Sequence, residues 1–236
     1  MRVQGATIEA RARAARLQRA RLPAVPLRRG KLVVTGEVLS STDSGDVFDV
    51  VEDGGQSLSA LLVNVRGRGT AAALVASTVR AELRSRLADG QPLAECVEAV
   101  TRAGYVIAND VVTSIAIGVV RMSQDGTVVE CANAGLPPIV VATRGTTSLV
   151  EAGSTTIPIE GSTTFLLASD GLGPAAIGEG PFHRVRALVG EHGPRLAGAR
   201  VDELRRVIVE AADLQGDRID DASLVVAAVL SAKEGT

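Results

Sequence analysis

Apolar residues recur along this chain with two periods, and the change from one to the other marks out its elements. Val47, Phe48, Val50 and Val51 read as a buried strand over 46–52, and Leu58 to Val63 as a second over 57–64. Asp53-Gly54-Gly55 between them is a hairpin turn signal. Residues 31–39 form a strand ahead of this pair. The spacing then becomes helical. Ala72, Val75, Ala76, Val79, Leu83 and Leu87 predict a helix over about 70–88, and Leu93, Val97, Val100 and Ile107 a second over about 92–109. Alternation returns over 112–122, 127–133, 138–142, 147–150 and 163–168, with Asp125-Gly126 as a turn. A Gly- and Pro-rich loop over 171–180, helices near 181–190 and 200–214, and a last strand over 222–231 complete the pattern. Hairpin-type connections dominate, so the sheets are predicted to be mainly antiparallel and the class α+β, not alternating βαβ.

The N-terminal segment stands apart. Residues 6–22 read as one helix rich in Ala, Arg and Leu, stopped by Pro23. Its apolar stripe of Ile8, Ala12, Ala15 and Leu22 is thin. Such a helix is marginal alone and needs something to pack on, its own copy in a homodimer included. We divide the chain into an Arg-rich N-terminal linker helix, 1–30, and one domain, 31–232.

Composition narrows the class. The 236 residues suit one sizeable domain. With no Trp, one Tyr and three Phe, the core must be built from Ala, Val, Leu and Ile. Residues 1–30 hold eight Arg against a single acid, Glu9, so the remainder is acidic, which argues against a nucleic-acid partner there. No apolar run has the length of a membrane span and no signal peptide is visible. Cys96 and Cys131 both fall in apolar segments without motif spacing, as buried reduced thiols do, which fits a cytoplasmic setting.

The chemistry gathers at strand ends. Gly45-Asp46, Ser169-Asp170-Gly171 and Asp220-Asp221 each adjoin an apolar strand. Carboxylates distant in sequence but all at strand ends can converge at one end of a sheet. Converging carboxylates raise one another's proton affinity unless a cation keeps them ionised, and hard cations such as Mg²⁺ or Mn²⁺ take such oxygen ligands. The strand at 57–63 ends instead in Asn64, followed by Arg66-Gly67-Arg68-Gly69. His183 and His192 stand outside any catalytic or metal spacing.

Taken in order, these segments resemble the stage II sporulation protein E class of bacterial phosphatases, within the PPM or protein phosphatase 2C superfamily. Leu17-Gln18-Arg19 to Leu22-Pro23 is similar to its linker helix. Gly45-Asp46-Val47-Phe48-Asp49-Val50 is similar to its first motif, and Val63-Asn64-Val65-Arg66-Gly67-Arg68-Gly69 with Ala71-Ala72 to its Asp-x-x-Gly-His-Gly…Ala-Ala motif. Ala132-Asn133-Ala134-Gly135-Leu136-Pro137-Pro138, Ser169-Asp170-Gly171 and Asp220-Asp221-Ala222-Ser223 follow the remaining motifs. The resemblance implies an αββα sandwich of two antiparallel sheets flanked by helix pairs. It implies removal of phosphate from Ser or Thr with a pair of Mn²⁺ or Mg²⁺ ions, on small phosphorylated proteins such as anti-sigma-factor antagonists. Carried over by motif, Asp170 and Asp220 hold one metal and Asp46 serves the other through water. Asp221 adds field, and the Val65 carbonyl completes the coordination of the second metal. Asp46, Asn64, Asp170 and Asp220 form the catalytic set.

Position 64 departs from that pattern. The family's bridging Asp is here an Asn, whose amide carries no charge and offers one oxygen and one NH₂. It can ligate one ion but cannot bridge two, so retention of one metal, or weak binding of both, is the expectation. Arg66 and Arg68, the latter in place of the family's His, suit direct bidentate binding of a phosphate. Against this, the chain uses Arg in preference to Lys throughout. Beside a weakened phosphatase stand a non-catalytic pseudophosphatase that binds a phosphorylated partner, and a scaffold dimerised through the N-terminal helix.

Overall fold

The computed structural model describes residues 12–13, 15–40, 44–67, 69–108, 114–172, 181–196, 201–211 and 221–231. The eleven strands among the described residues lie in two sheets. One holds β1 (Leu27–Arg29), β2 (Leu32–Leu39), β7 (Ile139–Thr143), β8 (Thr146–Val150), β10 (Thr163–Ala168) and β11 (Ala222–Val229), in the order β1-β2-β11-β10-β7-β8. The other holds β3 (Asp46–Glu52), β4 (Ser57–Arg66), β5 (Ser114–Ser123), β6 (Val128–Ala134) and β9 (Gly153–Pro158), in the order β3-β4-β5-β6-β9. Every pairing is antiparallel. Helices α1 (Gly69–Ala88) and α2 (Leu93–Ala108) pack outside the five-stranded sheet. Helices α3 (Pro181–Leu196) and α4 (Val201–Ala211) pack outside the six-stranded one. This is the αββα sandwich anticipated from the motifs.

Strand periodicity sorts the core into three layers. On β4, Leu58, Ala60 and Leu62 face the opposing sheet, while Leu61, Val63 and Val65 face α1 and α2. On β11, Val225, Ala227 and Val229 point between the sheets, while Leu224, Val226 and Ala228 meet α3 and α4. Strands buried on both faces read as continuous apolar runs, which is why β11 is Ala-Ser-Leu-Val-Val-Ala-Ala-Val. In a core so poor in aromatics, Phe48 and Phe165 fill the middle layer and are fully buried, each contributing roughly 2–3 kcal/mol by area. A Cβ at Gly36 would stand 3.0 Å from the Phe48 ring, so that glycine makes the room.

Two strands escaped the sequence reading, β1 and β9. β9, Gly-Ser-Thr-Thr-Ile-Pro, is an edge strand paired only with β6 among the described residues, and five of its six residues are exposed. With neither face buried it carries no apolar alternation. α3 also runs past Gly190, where the pattern ends. That glycine serves close approach rather than termination, because a Cβ there would meet Thr147 Oγ1 at 2.5 Å. Within the linker segment, residues 15–20 are helical, Ala15 is buried and Leu22 packs against both the middle layer and the α1–α2 layer. No helix among the described residues is long and apolar enough to cross a membrane.

Candidate active site

One end of the middle layer is polar, and strand register puts it there. Asp46 opens β3 directly opposite Asn64 on β4, on the face that continues to Phe48 and Val50 on one strand and Leu62 on the other. Across the sandwich, Ser169 and Ser223 prolong the inward faces of β10 and β11, following Phe165 and Leu167 and preceding Val225. These last two serines lock the strand ends. Ser169 N donates to Ser223 O at 2.9 Å, and Ser223 N donates to Ser169 Oγ at 2.9 Å. Asp170 then begins a single 3-10 turn, Asp170–Leu172, and Asp221 lies just ahead of β11.

Two glycines allow this convergence by having no side chain. A Cβ at Gly45 would stand 2.1 Å from the carbonyl oxygen of Val65, and one at Gly171 would stand 1.8 Å from that of Asp221. Gly45 O in turn accepts from Val65 N at 2.9 Å. The Gly of each Gly-Asp and Asp-Gly pair therefore holds its aspartate's strand against a neighbour. The Val65 carbonyl anticipated as a metal ligand lies against Gly45.

The two central carboxylates sit in contrasting electrostatic settings. Asp46 is buried, and its Oδ2 has no hydrogen-bond partner. Burial pushes its pKa up to about 7. The nearby hydroxyls of Ser169 and Ser223 pull it partly back, and the charges of Asp221 and Asp170 push it further up. Neither Oδ2 nor Ser223 Oγ finds a well-aligned partner, so that offset is incomplete. Asp170 has a donor on each oxygen. Its Oδ1 accepts from Asn64 Nδ2 at 2.6 Å and its Oδ2 from Arg66 at 2.5 Å. Asn64 thus spends its NH₂ on the neighbouring acid, and Arg66, anticipated as a phosphate ligand, is engaged by Asp170. Arg68 and Asp220, the other residues assigned from the motifs, lie outside the described residues.

A divalent cation can be tested against this donor set. Among the described residues no three His, Cys, Asp or Glu side chains form a ready metal cluster. Asp46 nevertheless fits a cation well. A buried carboxylate oxygen without a donor is a liability that a cation would satisfy. At Asp170 a cation would meet the positive charge of Arg66 and compete with two N–H donors.

Three further residues shape the site without being singled out by the motifs. Asp49, inside the first motif, faces α1, where its Oδ2 accepts from Arg80 at 2.9 Å and Arg84 at 2.8 Å. Its Oδ1 accepts from Val50 N at 2.8 Å. The sequence signal was an acid at a buried strand position facing a helix with Arg at i and i+4. Gln18, in the N-terminal helical segment, pairs with the backbone of Ser44. Its Nε2 donates to Ser44 O at 2.6 Å, and its Oε1 accepts from Ser44 N at 3.0 Å. Ser44 Oγ then accepts from Asp46 N at 2.9 Å, so this segment braces the strand end that carries Asp46. Asn133 folds the Ala-Asn-Ala-Gly-Leu-Pro-Pro turn, donating to the carbonyls of Leu136 and Pro137 at 3.2 Å each and accepting from Leu136 N at 3.1 Å. His183 and His192 sit on α3, in the outer layer.

Comparison with known proteins places this arrangement. The sequence model of the stage II sporulation protein E family matches residues 54–230, a span that includes Asn64, Asp170 and Asp221 but begins after Asp46. No curated protein sequence matches the chain. Among solved structures, the SiaA protein phosphatase 2C domain of Pseudomonas aeruginosa superposes with a TM-score of 0.74 at 20% identity, over 95% of this chain and 97% of that one. The RsbU and RsbW domains of Rv1364c from Mycobacterium tuberculosis superpose with a TM-score of 0.69 at 21% identity, over 89% of this chain. This chain spans only 63% of that protein. RsbX in complex with magnesium gives 0.66 at 12% identity, over 86% of this chain and 98% of that one. Likeness at these identities establishes the fold.

Proposed function

The chain belongs to the stage II sporulation protein E family of PPM-type phosphatases, and from that premise we propose that it hydrolyses phosphoserine or phosphothreonine on a regulatory protein, with Mg²⁺ or Mn²⁺, through a metal centre weakened at Asn64. The observation that carries this reading is the convergence on Asp46. Acids and hydroxyls from three separate segments meet at one end of the middle layer, around a buried carboxylate oxygen with no donor.

Asp46, Asp170, Asp220, Asp221 and the Val65 carbonyl are the groups that would hold cations. A bound cation supplies charge neutralisation for the phosphoryl oxygens and acidifies a water to serve as nucleophile near neutral pH. This chain's own residues do the rest. Asp46 offers a buried carboxylate at the strand end braced by Ser44 and Gln18, where a cation would favour its ionised form. Asn64, opposite it, contributes a dipole where the family carries a charge, so the pull on the cations is reduced. Arg66, the last residue of β4, and Arg68 follow Asn64 in the sequence as candidate phosphate ligands.

The partner is read from the family and its neighbours. RsbU and RsbW domains occur together in the Mycobacterium tuberculosis protein, which supports a phosphorylated anti-sigma-factor antagonist as the class of substrate here. A homodimer through the Arg-rich N-terminal helix is compatible with Leu17, which is 62% exposed. The buried free thiols of Cys96 and Cys131 suit a cytoplasmic setting.

A second reading has its own observation. The clasp of Asn64 and Arg66 on Asp170 favours a pseudophosphatase that binds a phosphorylated partner without turnover. Hydrolysis of p-nitrophenyl phosphate with Mn²⁺ separates the two. Slow wild-type turnover, raised by Asn64→Asp and abolished by Asp170→Ala, is the expected result. Activity confined to Asn64→Asp would establish the second reading instead.

A further inference from the structure

Arg66 lies two residues beyond Asn64, so both side chains leave the same face of β4. Each takes one oxygen of the same carboxylate, Asn64 at 2.6 Å and Arg66 at 2.5 Å. The Arg66 side chain is 66% exposed and that of Asp170 39%, so the pair is in contact with water. Exposed ion pairs of this kind are weak and exchange readily. A guanidinium and a divalent cation compete for one carboxylate, because their like charges repel and two of its roughly four lone-pair sites already accept N–H donors. Once released, Arg66 carries the planar fork that matches a phosphomonoester.

We infer that Arg66 is an exchangeable tethered cation: it caps Asp170 until a divalent metal ion displaces it, and then grips the phosphoryl group of the substrate. Metal and phosphate binding are thereby coupled through one side chain. The metal releases Arg66 for the phosphate, and the phosphate withdraws Arg66 from the metal's ligand. Thermodynamic linkage makes this reciprocal, so each ligand tightens the other. The inference rests on the metal-dependent reading above and adds a residue and a coupling to it.

Titration calorimetry of the full chain with Mn²⁺, with and without saturating phosphoserine, tests it. Wild type is expected to bind Mn²⁺ more tightly when phosphoserine is present. Arg66→Ala is expected to bind Mn²⁺ alone roughly three- to fivefold more tightly, the size of an exposed ion pair, and to lose the tightening by phosphoserine. Arg66→Lys keeps the charge and part of the coupling. Because Arg66 is exposed, an unchanged melting temperature certifies the fold of the variants. Unchanged or weaker Mn²⁺ binding by Arg66→Ala, or coupling that survives it, overturns the inference. Asn64→Asp distinguishes the levels. If it gains Mn²⁺ affinity while Arg66→Ala changes nothing, the tethered-cation role alone falls. If no protein in the set binds Mn²⁺, the metal-dependent reading falls and takes this role with it.

Discussion

Asp46 and Asp49 stand three residues apart on one strand, both buried, and their surroundings are opposite. Asp49 faces α1 and meets two guanidinium groups and a backbone N–H. Asp46 faces the middle layer and meets serine hydroxyls and other acids, with one oxygen left without a donor. A strand turns successive side chains to opposite faces, so an odd separation sends two identical residues into different solvents. On the helix side the fold has placed a structural ion pair. On the middle-layer side it has left Asp46 among other acids with no cationic side chain of its own, the arrangement that sites built for cations or protons share.

Substitution of each aspartate in turn is the sharpest way to break this contrast. Asp49→Ala removes the acid from between Arg80 and Arg84 and is expected to cost about 3 kcal/mol of stability, read by urea unfolding. Asp46→Asn is expected to act in the other direction. The folded-state pKa of Asp46 is raised to about 7 from 3.8, so between these values the folded chain holds a proton that the unfolded chain has lost. Its contribution to stability therefore falls as pH rises through that window and stays at its lowest above it. With chelator present, Asp46→Asn should gain on the order of 3 kcal/mol over wild type at pH 8 and almost nothing at pH 4. Addition of Mn²⁺ should shrink the gain at pH 8. A loss of stability in Asp46→Asn at pH 8 would show that its carboxylate is already compensated.

The glycines provide the next test, because they hold the middle-layer end closed and have no part in the Asp49 pairing. Gly171→Ala and Gly45→Ala both drive a methyl into a backbone carbonyl, which forces the strands apart at an expected cost of about 2 kcal/mol each. Mn²⁺ affinity should fall with stability in both, whereas Gly54→Ala, in the open turn between β3 and β4, should leave Mn²⁺ binding unchanged. The smallest effect is expected from Gln18→Ala. It removes two hydrogen bonds to Ser44 from outside the cleft and should cost about 1 kcal/mol. Reduced Mn²⁺ affinity in that variant would show that the brace on Asp46 reaches the site.

Much of this molecule was readable in its residues. Alternation located nine of the eleven strands, because a strand buried on one face or both must declare it in apolar spacing. The polar edge strand β9 and the three-residue β1 bury too little to do so. The Gly-Asp and Ser-Asp-Gly islands were legible as strand-end carboxylates, and the family assignment followed from their order. Asn64 was legible as a missing charge. The sequence did not show where that loss would be felt, since a side chain's type says nothing of the acceptor it will find.

What the chain determined alone is therefore its periodicity and its stock of charges: which faces are apolar, where turns fall, and that one anionic position had become neutral. The tertiary structure decided how those charges are matched. Arg80 and Arg84 reach Asp49 from a helix some thirty residues on, and Asn64 and Arg66 reach Asp170 across more than a hundred. Local patterns are set by neighbours in sequence, and burial rewards them directly. A carboxylate's counter-charge depends on strand register, on sheet-to-sheet approach and on the two glycines that allow it, and these exist only once the sandwich has closed.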